Sequence, residues 1–137
     1  MIRMLALILT LVATPVTAQE QWLHVSGVSA HDRPGFQEQN WGMGWETRMA
    51  EDWSAAVGFY HNSIDRTSTY GLVKHHWIKT NQWSVNINIG AVSGYDAMPV
   101  APVLLPELCV SWLCGFIIPR VGPNEATAVA LYLRIAL

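Results

Sequence analysis

The chain has 137 residues, 51% of them apolar and 13% charged, with seven Trp and a net charge of −2. That length holds one domain. The apolar, Trp-rich balance excludes a disordered linker, and the absence of positive excess excludes a basic nucleic-acid surface.

The first segment, Met1 to Ala18, reads as a secretory signal peptide. Arg3 is its positive start, Leu5 to Val12 its apolar stretch, and Val16-Thr17-Ala18 its small-residue cleavage site. Gln19-Glu20-Gln21 arrive too soon for a membrane anchor, which needs about 20 apolar residues. The mature domain is then 19–137, one β-domain.

From there the chain alternates with period two. Strands are expected at about 21–30, 40–49, 53–62, 67–77, 82–93, 101–110, 113–119 and 126–135. In the second, Trp41, Met43, Trp45, Thr47 and Met49 share one face, against Gly42, Gly44, Glu46 and Arg48. In the fifth, Trp83, Val85, Ile87 and Ile89 oppose Ser84, Asn86, Asn88 and Gly90. The last sets Val129, Leu131, Leu133 and Ile135 against Ala128, Ala130, Tyr132 and Arg134. Turn signals separate them, among them Arg33-Pro34-Gly35, Ala50-Glu51-Asp52, Gly94-Tyr95-Asp96 and Gly122-Pro123-Asn124. A tight turn at Ser111-Trp112 would set Cys109 opposite Cys114, and export would let them form a disulfide.

Eight short antiparallel strands suit a soluble sandwich, a soluble barrel or a membrane barrel. A membrane barrel turns its apolar face outward and fills its lumen with small and polar side chains. The second faces here carry Gly, Asn, Ser, Ala, Glu and Arg. They make a poor soluble surface at 13% charge, but a good lumen for eight strands, whose interior side chains can fill. Trp22, Trp41, Trp53, Trp77 and Trp83 fall near strand ends, as an interfacial girdle does. The expected fold is an all-β, eight-stranded antiparallel up-and-down barrel of outer-membrane type, working as a monomer.

Pro102-Val103-Leu104-Leu105-Pro106 places two prolines in a strand-like run, where each removes a ladder donor. With Trp41-Gly42-Met43-Gly44, Ile118-Pro119 before Asn124, His24, and the pair Asn62-Ser63, the chain resembles the outer-membrane lipid A palmitoyltransferases (PagP-type) over most of its mature length. The resemblance implies acyl transfer from phospholipid to lipid A, membrane lipids as the only partners, no cofactor and no metal. It implies lateral lipid entry at a gap relieved by Pro102 and Pro106, and a catalytic set at His24, Asn62 and Ser63. Two departures stand out. Asn62 occupies the place of the family's Asp, and the amphipathic helix before the family's first strand has no counterpart.

In such chemistry a His deprotonates the acceptor hydroxyl, while Ser and Asn donate to the oxyanion. Asp65 is placed to supply the missing carboxylate, and Arg66 to meet a lipid phosphate. His61-Asn62-Ser63 also offers the His-x-Ser spacing of lipid A deacylase-type hydrolases, with Ser as nucleophile. The adjacent His75 and His76 point to opposite strand faces and make a poor metal pair. Lys74, His75, Lys79 and Arg66 read as a cationic rim near headgroups. Two non-enzymatic readings stand beside these: a non-catalytic outer-membrane barrel that remodels the surface, and a periplasmic lipocalin-like lipid binder.

Overall fold

The computed structural model describes residues 19–120 and 124–137, so the expected signal segment lies outside the described residues. The alternating runs form eight strands: β1 (Gln21–His31), β2 (Gln39–Ala50), β3 (Trp53–His61), β4 (Thr67–Lys79), β5 (Trp83–Ser93), β6 (Val100–Val110), β7 (Leu113–Ile118) and β8 (Ala128–Ala136). Each pairs antiparallel with the next, and β8 returns to β1, so the sheet closes on itself with no helix among the described residues. Closure leaves no sheet edge over most of the circumference, which is how this architecture satisfies its backbone.

The two faces of every strand part company at the wall. Outward go Trp77 at 68% exposure, Val57 and Leu104 at 61%, together with Trp41, Met43, Trp45, Ile89 and Val129. Inward go Glu46 at 0%, Lys74 at 1% and Glu107 at 4%, with His24, Ser54, His76, Asn86 and Asn88. Polar side chains therefore fill the interior and apolar ones coat the exterior.

The ends differ. One end holds the tight turns at 51–52, 80–82 and 111–112, and both described chain ends. The other holds the connections 32–38, 62–66, 94–99 and 119–127. The exposed Trp45, Trp53, Trp77, Trp83 and Trp112 lie toward the tight-turn end, while Trp41 lies toward the other. Trp22 does not join them. It faces the lumen at 9% exposure, with the Arg134 guanidinium 3.7 Å from its ring centre and that of Arg48 at 5.4 Å.

Two glycines are required by their surroundings. A Cβ on Gly44 would lie 2.0 Å from the Tyr70 hydroxyl, so its absence gives that ring its place in the lumen. Gly94 has φ +90°, which an L side chain rarely adopts, and a Cβ there would sit 2.7 Å from the Thr67 carbonyl oxygen. At the Ser111-Trp112 turn, Ser111 takes φ 55°, and the hairpin sets Cys109 opposite Cys114. Their sulfurs are joined in a disulfide spanning five residues of sequence.

Pairing between β6 and β7 is short. β6 matches β5 without a break from Val100 to Val110, but meets β7 only from Glu107 to Val110. The edge of Val100 to Pro106 toward β7 has no ladder partner among the described residues. A proline can sit in a paired strand only where its nitrogen turns away from the ladder. The unbroken register with β5 therefore directs the nitrogens of Pro102 and Pro106 toward this seam.

Candidate functional site

The densest chemistry in the molecule lies across the lumen. Four charged side chains come from alternate strands: Glu46 on β2, Lys74 on β4, Glu107 on β6 and Arg134 on β8. Their signs alternate around the barrel. Lys74 Nζ donates to Glu46 Oε2 at 3.0 Å and lies 2.9 Å from Glu107 Oε1. Arg134 grips Glu46 through Nη2 at 2.8 Å and Nε at 3.1 Å.

Each carboxylate is also held by neutral groups. Glu46 accepts from Ser54 Oγ at 2.7 Å and pairs with His24 Nε2 at 2.7 Å. Glu107 accepts from Asn86 at 3.0 Å, Asn88 at 3.1 Å and the Tyr132 hydroxyl at 2.7 Å. Lys74 donates to that same hydroxyl at 2.9 Å. His76 is held between Ser54 and Asn86. A buried charge is tolerated only when paired and hydrogen-bonded, and these are both. Within this cluster Asn88 Oδ1 is a buried acceptor without a partner among the described residues.

The residues singled out from the sequence fall at separate places. His24 is in the lumen at 4% exposure, bonded to Glu46 and 3.5 Å from the Tyr70 hydroxyl. Asn62 and Ser63 stand beyond the end of β3, at the end with the longer connections. The lumen-facing Tyr60 and Tyr70, with ring centres 6.2 Å apart, fill the levels between. The structure thus does not bring His24 to Asn62 or Ser63.

Asn62 organises the 62–66 turn. Its Oδ1 accepts from the backbone nitrogens of Ile64 and Arg66, and its Nδ2 donates to Ser68 Oγ and the Gly94 carbonyl. A carboxylate there would keep the two acceptor contacts and lose both donor contacts. Ser63 lines a groove with Gly35, Phe36, Gln37, Ile64 and Asp65. Asp65 bonds His61 Nε2 at 2.8 Å, and His61 stacks on Trp41 with ring centres 6.0 Å apart. His61 is thereby engaged by Asp65, and Ser63 lies past the strand that carries His61. Arg66 pairs with Asp96 at 2.6 Å.

The cationic rim does not form. Lys74 is inside the barrel because it keeps the parity of His76 and Ser54, and Arg66 lies at the opposite end from Lys79. His75 packs outward on Trp53 at 4.5 Å while His76 points inward, so the pair is split across the wall. Glu107 lies beside the two cysteines, whose sulfurs are bound to each other. Sequence reasoning placed Glu46 and Arg134 on inward faces. It missed their assembly with Lys74 and Glu107, for which the shared strand parity was the available signal. No protein-family model and no curated protein matches the chain.

Proposed function

We propose that this chain is an integral β-barrel of a Gram-negative-type outer membrane, exported by its N-terminal segment, with a lumen sealed by charged side chains. One observation carries this reading: the wall is apolar outside and polar inside. A soluble barrel or lipocalin-like binder requires the reverse, since water favours the polar face and a lipid ligand the apolar one. So many bare apolar side chains on the outer wall would drive aggregation in water, whereas a hydrocarbon solvent accepts them. The Trp cluster toward the tight-turn end suits the membrane interface. In this role the barrel occupies and remodels the surface without turnover. The test is fractionation with gel mobility: the protein stays with outer membranes, and an unheated sample in detergent migrates apart from a heated one. Release with periplasmic contents would refute it.

A second reading, acyl transfer from phospholipid to lipid A, is favoured by the seam between β6 and β7. There Pro102 and Pro106 remove two backbone donors that hydrocarbon would leave unsatisfied. The same seam is where the resemblance to the palmitoyltransferases implies lipid entry. On this reading His24 acts as base and the 62–66 turn meets the lipid, with Asp65 and Arg66 at the headgroup. Since His24 and Ser63 stand apart, it also requires Tyr60 and Tyr70 to yield a path. Mass spectrometry of lipid A from cells expressing the chain decides it. A palmitate-sized gain lost with His24→Ala establishes transfer. Loss of one acyl chain identifies a deacylase. An unchanged lipid A with folded barrel leaves the non-catalytic barrel.

A further inference from the structure

We infer that the charged band across the lumen is a gate, and that Lys74 is its latch: the sealed barrel is a latent ion-conducting pore. The inference rests on the membrane-spanning reading and adds a function to it.

The seal is built of side chains alone. Toward the end with longer connections a second side-chain layer, Tyr60 and Tyr70, packs against Gly42, Gly44 and Gly58. The Tyr60 hydroxyl is bonded to that of Tyr95, so conduction also requires these two rings to turn aside. Nothing in the described backbone crosses the lumen. Closure at the charged level comes from Glu46, Lys74, Glu107, Arg134 and Tyr132.

Within that level there are two polar clusters. One is Glu46 with His24, Ser54 and Arg134. The other is Glu107 with Asn86, Asn88 and Tyr132. Lys74 alone bonds both carboxylates among the described residues. Glu46 keeps Arg134, His24 and Ser54 when Lys74 leaves it, whereas Glu107 has Lys74 as its one cationic partner among the described residues. Lys74 can therefore release Glu46 and keep Glu107 without stranding a buried charge, which is what gives a packed site two arrangements. The path so opened would be lined by carboxylate, amide and hydroxyl oxygens. Asn88 Oδ1, beside Glu107 at 2% residue exposure and without a partner among the described residues, adds a further acceptor oxygen to that path.

The charge balance of the band fixes the sign of the test. Two carboxylates and two cations make its own charge zero. Lys74→Ala leaves an excess of one negative charge, and Glu107→Ala an excess of one positive charge. Rings of one sign select the opposite ion. The experiment is single-channel recording of the purified full chain in planar phosphatidylcholine bilayers under a potassium chloride gradient, with the detergent heat shift as the check on assembly.

The wild-type barrel is expected to stay closed for most of the record. Lys74→Ala is expected to raise the open time at least tenfold, with a reversal potential on the cation side. Glu107→Ala is expected to conduct with its reversal potential displaced toward the anion side. Assembled variants that stay as silent as the wild type would overturn the gate. So would displacements of the same sign in both, or a wild type already as conductive as Lys74→Ala. Failure of both variants to show the heat shift, while the wild type shows it, would overturn it too. The band would then be needed for the barrel itself and could not open within it. A wild type without the heat shift would instead refute the membrane-barrel reading.

Discussion

Replacing Glu46 by Gln tests whether the lumen is held by charge or merely filled. The change keeps volume but removes the charge and turns one acceptor oxygen into a donor facing donors, so any loss is polar rather than one of packing. In the wild type this carboxylate faces two cations, Lys74 and Arg134, and is itself fully buried. Lys74 retains Glu107 at 2.9 Å after the change, so its cost is small. Arg134 bonds no second carboxylate among the described residues, and its side chain is 16% exposed. It is left a mostly buried cation against an amide. Breaking such a pair from one side costs about 3–5 kcal/mol. The assay is urea unfolding in detergent micelles, followed by Trp fluorescence, which senses the exposed outer Trp residues. Arg134→Met alone leaves Glu46 with Lys74, and should cost less than Glu46→Gln. The double variant should recover part of the loss. A Glu46→Gln change below about 1 kcal/mol would refute the reasoning and show a lumen that is wet and screened.

The other expectations follow from local geometry. Gly44→Ala drives a Cβ onto the Tyr70 hydroxyl and should lower stability by about 1–3 kcal/mol in the same urea assay; Tyr70→Phe in that background should restore much of it. Asn62→Ala removes the acceptor of the Ile64 and Arg66 backbone nitrogens, and should cost about 0.5–1.5 kcal/mol for each bond lost, read as faster proteolysis at the 62–66 turn. Asn62→Asp should also accelerate cleavage there, because a carboxylate would face the Gly94 carbonyl; cleavage slower than wild type would contradict the assigned bonds. Reducing the Cys109–Cys114 bond should lower stability by about 2 kcal/mol and no more, since it closes a very short loop.

The barrel was readable because period-two alternation is a local property. Trp41, Met43 and Trp45 against Gly42, Gly44 and Glu46 declare two faces within six residues. The charged band was not readable in the same way. Glu46, Lys74, Glu107 and Arg134 are each isolated along the chain, and only closure of β8 onto β1 faces them across one lumen. Lys74 sits beside His75 in a polar stretch that resembles a loop edge, and strand parity overrides that appearance. Trp22 misled for a related reason: an aromatic at a strand end suits an interface, but two arginines draw it inward. Asn62 drew attention as a substituted acid, while its bonds show the work of a turn-former.

The short contact between β6 and β7 has a mechanical consequence. A closed sheet resists swelling through hoop tension, and a hoop is as strong as its weakest joint. Here that joint has four paired positions, against eleven between β5 and β6. The disulfide crosses that narrow joint, like a rivet through the overlap of a barrel's iron band. Pulled from its two ends, the chain should peel from the β1–β8 closure, and the disulfide should keep residues 109–114 from extending until it is reduced.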